Sequence, residues 1–225
     1  MVETEGLYNP FVLPALQRAG YVGSWPHPEI HDARLDYSQR ERSAGADDLM
    51  IKPSSATISV GTALDFGGIG KGYLLDQLAD LLDTKHVKDY WLSLGGDIIC
   101  NGFDSEDKPW KIGLASAEQP DTTAASITNT NGQKMAIATS GITKRGRDGW
   151  HHIIDPRTGL SAKTDILAAS LGLQNATAAD VYATCLIVLS SKAAETFMNT
   201  RNITDVLLQV RHTGQVELKR YGAVA

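Results

Sequence analysis

Leu64-Asp65-Phe66-Gly67-Gly68-Ile69-Gly70-Lys71-Gly72-Tyr73, continued by Leu74-Leu75-Asp76-Gln77-Leu78-Ala79-Asp80-Leu81-Leu82, sets the terms on which the remaining sequence is read. Leu74, Leu75, Leu78, Leu81 and Leu82 recur at helical spacing, while Ala56, Ile58 and Val60 upstream alternate with Thr57 and Ser59 as strand residues do. The pattern predicts a strand joined to a helix through four glycines. Glycines let backbone N–H groups approach an anion, and a helix start adds unpaired donors and partial positive charge, so the turn suits phosphate. Lys71 strengthens that preference. A glycine turn that only lets helix and strand pack closely accounts for the same residues equally well. Two standard phosphate motifs fail: a dinucleotide fingerprint from Gly68 would need glycine where Tyr73 stands, and a P-loop would need glycine at Asp65 and a hydroxyl residue at Gly72.

At 225 residues the chain is long enough for a single domain over 1–225, with room for two lobes. Its 42% hydrophobic and 21% charged residues are the composition of a soluble globular protein. A net charge of -5 gives no electrostatic footprint for nucleic acid or an anionic membrane, so any phosphate site must be local. Cys100 and Cys185 lie far apart without metal-type spacing and read as core thiols. No run reaches transmembrane length, and the start Met1-Val2-Glu3-Thr4-Glu5-Gly6 has neither the basic nor the apolar region of a signal peptide. As written, the chain is expected to stay where it is made. Leu7-Tyr8-Asn9-Pro10 already reads as a structured turn, which raises the expectation of further sequence upstream.

A short helix is expected from Pro10 to Ala19, ended by Gly20. Segment 24–53, with its prolines, histidines and charged run from Arg34 to Asp48, reads as a long surface excursion carrying at most one short helix. His27 and His31 have helix-like spacing, but Pro28 between them favours solvated loop histidines over metal ligands. Strands are expected at Tyr90–Leu94 and Ile98–Cys100 around Gly95-Gly96-Asp97, at Trp110–Leu114, Met135–Thr139, Trp150–Ile154 and Ile166–Leu173. Ser116–Gly132 is expected to be a loop with a short strand near Ile127, and Lys144–Gly149 a polar hairpin-like loop. Helices follow at Thr177–Leu189 and about Lys192–Asn199, then a hairpin of Val206–Val210 and Val216–Leu218 around Thr213-Gly214. Strands outnumber helices and short turns join them, so the fold class is α+β with largely antiparallel sheets.

Two constellations carry chemistry. In the helix from Thr177, Ala178, Val181, Tyr182, Cys185, Leu186 and Leu189 form an apolar face, and Thr177, Asp180 and Thr184 make a column on another. A carboxylate with a hydroxyl is hard-oxygen chemistry and fits Mg²⁺ or Ca²⁺ once phosphate oxygens complete the shell. Helix-start capping by Thr177 and Asp180 is the plainer reading of those residues alone. Trp150-His151-His152-Ile153-Ile154-Asp155-Pro156-Arg157-Thr158-Gly159 puts histidine at a strand end and a carboxylate in the turn after it. Alternation sends His151 and His152 to opposite faces, so one can enter a cleft as a general base for a hydroxyl nucleophile. Asp155 before proline is equally an ordinary turn starter.

Asp65 to Tyr73, Ser93-Leu94-Gly95-Gly96-Asp97, Ala138-Thr139-Ser140-Gly141, His152 to Gly159 and Ala179-Asp180-Val181-Tyr182-Ala183-Thr184 occur in the order seen in the FAD:protein FMN transferases, the ApbE-like family. Thr4-Glu5-Gly6-Leu7-Tyr8-Asn9-Pro10 also resembles that family's Thr-Asp-Gly-x-x-Asp-Pro segment. The resemblance implies an ApbE-like fold and a Mg²⁺-dependent enzyme. Such an enzyme splits FAD, joins FMN to a Thr or Ser hydroxyl of a partner flavoprotein, and releases AMP. The family's partners are subunits of membrane redox complexes and other extracytoplasmic flavoproteins, and its members usually act outside the cytoplasmic membrane.

By position, the resemblance makes Asp180, the Thr184 hydroxyl and the Gly68 carbonyl the metal ligands. It makes Leu7, Tyr8, Asn9, Asp65, Lys71 and the backbone near Ile154 contacts of FAD, with Ser140 adding a hydrogen bond to phosphate. His152 is the base, oriented or assisted by Asp155. The family ordinarily has further sequence before the Thr-Asp-Gly segment, including a Met-Gly-Thr strand and a tyrosine that help enclose the flavin, and the chain as given lacks it. Asn9 replaces an acidic residue, Gly70 an alanine and Ser161 a proline. Two other readings use the same residues: Mg²⁺-dependent hydrolysis of FAD to FMN and AMP, and a non-catalytic flavin-binding module.

Overall fold

A computed structural model describes residues 1–19, 21–22, 29–30, 44–147 and 150–225. The chain forms two compact units, Met1–Phe66 with Arg145–Lys163, and Gly67–Lys144 with Thr164–Ala225. The helices among the described residues are α1 (Leu13–Arg18), α2 (Gly70–Thr84), α3 (Ala176–Val188) and α4 (Ser191–Thr200). The strand pairings are antiparallel throughout the described residues, so the fold is α+β as its strand-rich pattern predicts.

The second unit is built on a six-stranded sheet in which chain order is also spatial order: Tyr90–Leu94, Asp97–Asn101, Met135–Gly141, Ile166–Leu173, Asp205–His212 and Gln215–Tyr221. Alternation divides its faces. Ile99 and Ala136 turn to one side and pack with Leu75 and Ala79 of α2 and Ala176 of α3. Cys100 and Ile137 turn to the other and pack with Ile112, Leu114, Ala125 and Ile127. Those last four belong to the hairpin Lys111–Ala115 and Thr123–Thr128. The second arm is a six-residue strand where the polar composition of 116–132 predicts mostly loop; burying Ala125 and Ile127 on alternate positions decides the matter. Ile166–Leu173, flanked by strands on both edges, is buried along nearly its whole length.

Three expectations change. The apolar run on α2 turns Leu75 and Ala79 inward but leaves Leu74, Leu78 and Leu81 exposed. The strand predicted through Val60 stops at Ile58, because Ser59–Thr62 forms a turn with Gly61 at positive φ. Ser55–Ile58 instead pairs with Leu49–Lys52 in an exposed hairpin of the first unit, and residues 59–69 separate it from α2. Trp150–Ile154 is broken into short strands, Trp150–His151 and Ile154–Asp155.

Of the excursion 24–53, residues 24–28 and 31–43 lie outside the described residues, and His27 and His31 with them. Its described remainder includes a 3-10 turn at Ala46–Asp48. In the first unit, Pro10–Val12 forms a 3-10 turn leading into α1, which packs Ala15 and Leu16 against Ile154. No helix among the described residues is long and apolar enough to cross a membrane.

Candidate functional site

The second unit gathers the charged groups through the approach of α2 to α3. A Cβ on Gly72 would lie 2.3 Å from the Ala176 carbonyl oxygen and 2.8 Å from the Thr177 Cα, so only glycine permits this spacing. The Gly72 N–H, in the first turn of α2, donates to Asp180 Oδ2 at 3.2 Å. Beside it, the Lys71 ammonium lies 3.1 and 3.2 Å from the two oxygens of Asp180 and 3.0 Å from Asp97 Oδ2, and donates to the Gly67 carbonyl at 3.3 Å. The glycine turn, the start of α2 and the middle of α3 therefore meet at one ammonium. Thr184, one turn beyond Asp180, shares a 3.0 Å hydrogen bond with Ser140 and donates to the Asp180 carbonyl at 3.3 Å.

Asp97 and Asp180 are both buried. Burial and the neighbouring Asp180 charge push the Asp97 carboxyl above the usual carboxylate range despite the opposing pull of Lys71. Burial alone would lower the Lys71 pKa, but the charges and hydrogen bonds of Asp97 and Asp180 outweigh it and hold the ammonium above its ordinary value. Two buried carboxylates around one ammonium leave an excess of negative charge when all three are ionised. The Asp180 carboxylate with the Thr184 hydroxyl one turn on is hard oxygen of the kind that fits a divalent cation. Among the described residues no group of three or more His, Cys, Asp or Glu could hold a metal by itself.

Capping of α3 by Thr177 and Asp180 is not what the structure contains. Asn175 is the cap, its side chain accepting from the Ala178 N–H at 2.7 Å. Asp76 of α2 takes the Ala176 and Thr177 N–H groups at 2.8 Å each and the Thr177 hydroxyl at 2.5 Å. Thr177 thus leaves the column, and Asp180 stands on a buried side of the helix.

The first unit holds Leu7, Tyr8, Asn9, Asp65, His152, Ile154 and Asp155. Tyr8 is buried, its N–H donating to the Thr4 hydroxyl at 3.1 Å. The Asn9 amide caps the turn at Phe11 (3.0 Å) and donates to the Ala44 carbonyl (2.7 Å), while the Asp65 N–H donates to the Pro10 carbonyl at 2.7 Å. His152 is half-buried, with Nδ1 3.2 Å from the Arg145 carbonyl.

Asp155 does not orient His152. Its Oδ1 accepts the Arg157 N–H at 2.9 Å and Nε at 2.8 Å, and its Oδ2 accepts the guanidinium at 2.8 Å. The Asp-Pro-Arg turn, in which the carboxylate reaches the amide two residues on, claims the side chain locally. Ser161 uses its hydroxyl to donate to the His151 carbonyl at 2.6 Å and accept the His151 N–H at 3.2 Å.

Asp97, quoted within a family motif, and Asp76 are the residues to which the sequence reading assigned no role. A carboxylate opening an apolar strand immediately after Gly95-Gly96 was the available signal for the first; Asp76, one polar position in a helix, carried none.

The fold that holds this cluster is that of the flavin transferases. The apo flavinyl transferase ApbE of Pseudomonas stutzeri superposes with a TM-score of 0.78 at 22% identity, over 99% of this chain and 69% of that one. A flavin transferase ApbE from Vibrio cholerae gives 0.77 at 24% identity, over 98% and 70%. In sequence, residues 2–208 match the ApbE family model, and the chain belongs to the ApbE family. The FAD:protein FMN transferase of Treponema pallidum is 31% identical over 204 residues, 82% of this chain and 55% of that protein. That of Haemophilus influenzae is 26% identical over 219 residues, 91% and 61%. The chain thus spans less than two thirds of the length of these curated relatives.

Proposed function

We propose that this chain transfers FMN from FAD to a Thr or Ser hydroxyl of an acceptor protein, releases AMP, and requires Mg²⁺. The observation that carries the proposal is the meeting of the Gly67 carbonyl, Lys71 and Asp180 at one ammonium, beside the Thr184–Ser140 pair. Asp180, the Thr184 hydroxyl and the Gly68 carbonyl hold the cation, which when bound neutralises charge on the diphosphate. Lys71 and the glycine turn bind the phosphate oxygens, with Ser140 as a further donor. The Leu7–Asn9 turn, Asp65 and the backbone at Ile154 contact FAD. His152 takes the proton of the attacking hydroxyl as its oxygen bonds to the FMN phosphorus; the pyrophosphate bridge breaks and AMP leaves with the bridging oxygen. Asp155 supports the turn that follows His152, through Arg157. The acceptor is a flavoprotein such as a redox-complex subunit.

The test is incubation with FAD, Mg²⁺ and a Thr-containing acceptor, reading acceptor mass and free AMP. A flavinylated acceptor with stoichiometric AMP, lost in Asp180→Ala, is the expected result. FMN and AMP without acceptor modification would make the chain a hydrolase, and intact FAD a binding module. Unchanged activity and Mg²⁺ titration in Asp180→Ala would remove the metal assignment.

A further inference from the structure

Lys71 contacts both Asp180 oxygens, one of which also accepts the Gly72 N–H. A carboxylate so engaged binds a divalent cation less tightly while the ammonium stays, because two cations would share it at contact distance. The second anchor of the ammonium differs in kind. Asp97 is buried at the head of a sheet strand, and its Oδ1 accepts the Thr139 N–H of the neighbouring strand at 3.2 Å, leaving Oδ2 turned to Lys71. The lysine stem lies against the strand turn, where the missing side chain of Gly95 admits it: with φ of +59° there, a Cβ would come within 3.1 Å of Lys71 Cδ. A flexible stem with a fixed alternative partner is what an exchange requires.

We propose that Lys71 is a displaceable internal counter-cation of Asp180, and that Asp97 is the positioning residue that keeps the ammonium when a divalent cation takes Asp180. The inference rests on the reading of Asp180 as a metal ligand. It assigns Asp97 a role in setting metal affinity without touching the metal. Lys71 and the divalent cation compete for one carboxylate, and the anchor decides how easily the lysine yields.

The experiment is Mn²⁺ binding to the full chain, read by electron paramagnetic resonance of free Mn²⁺ without FAD. Lys71→Met, which removes the competitor, is expected to tighten Mn²⁺ by about tenfold; Asp97→Asn, which leaves the ammonium Asp180 as its one carboxylate partner, is expected to weaken it by about tenfold. The Lys71→Met/Asp97→Asn double variant is expected to bind like Lys71→Met alone, since Asp97 acts through the lysine. Unchanged or weaker binding in Lys71→Met overturns the exchange, as does a tenfold Asp97→Asn loss that persists in the double variant. Lys71→Gln carries the same expectation should the methionine variant not fold. Asp180→Asn separates the two levels: if it abolishes Mn²⁺ binding while Lys71→Met changes nothing, the metal reading stands and the exchange falls. If it binds Mn²⁺ like the wild type, the metal reading itself falls.

Discussion

His152 sits between two residues committed elsewhere. His151 is buried with Nε2 on the Ala162 carbonyl at 2.9 Å, and Asp155 is held by Arg157. On the proposed function, the half-buried His152 ring is the base of this segment. Its Nδ1 lies against the Arg145 carbonyl, a pure acceptor, so a neutral ring keeps its proton there. Replacing it should remove a proton acceptor. His152→Ala is expected to slow FMN transfer by about 10²–10⁴-fold. FAD affinity, followed by flavin fluorescence, should stay near the wild-type value. Loss of bound flavin instead would make His152 a binding residue.

The elements are joined by side chains that finish one another's hydrogen bonding. Asp76 of α2 satisfies the start of α3, and Asp165, just before the Ile166–Leu173 strand, satisfies the start of α4 by accepting from the Ser191 N–H at 2.8 Å and hydroxyl at 2.6 Å. Gly72 sets the α2–α3 spacing by having no side chain. Gly72→Ala would gain up to about 1 kcal/mol in helix propensity. The added methyl, however, must push two backbones apart, and a net loss of about 1–3 kcal/mol is expected in urea unfolding. The same displacement breaks the Gly72 N–H bond to Asp180 and carries that carboxylate away from the glycine turn, so the proposed FMN transfer should fall with it.

Asp165 gives a contrast that depends on pH. Burial raises its pKa, but the two Ser191 hydrogen bonds and Lys219 outweigh that and leave it below 3.8. A depressed native value means the unfolded chain takes up the proton first, so the stabilisation is present above pH 3.8 and lost as pH falls through the native value. Asp165→Ala should therefore cost about 1–2 kcal/mol at pH 7. The gap to wild type should close in acid, measured by denaturant melts at both pH values.

At the scale of the chain, what was legible was whatever repeats along a short stretch. Ile166–Leu173 is found at the bounds its apolar run predicts, and α3 within a residue, because periodicity and length are local properties. The partner of Ser55–Ile58 was not legible, since an alternating run does not say whether it joins a core sheet or an exposed hairpin. Of the column on α3, Asp180 and Thr184 stay together while Thr177 is taken by Asp76, because which side of the helix is buried depends on α2 and the sheet, far away in sequence. The ammonium between Asp97 and Asp180 is the extreme case, joining residues 71, 97 and 180.

Stability of the first unit likewise depends on a group whose sequence neighbours do not reveal it. His151 Nδ1 is buried with no hydrogen-bond partner among the described residues, so a second ring proton would be buried unpaired. Burial accordingly lowers the His151 pKa from 6.5, against the upward pull of the Ala162 carbonyl. The unfolded chain then binds a proton that the folded one refuses, so stability is fully present above pH 6.5 and falls as pH drops toward the native value. The slope can reach about 1.4 kcal/mol per pH unit for this single proton. The Ala162 N–H, bonded to the Ile153 carbonyl at 2.9 Å, is a local reporter of opening. Its hydrogen-exchange protection, corrected for the intrinsic rate, should fall between pH 7 and pH 5 in the wild type. His151→Gln, which can still donate to Ala162 but does not titrate, should flatten that dependence, and an equal slope in both proteins would mean that His151 does not govern it.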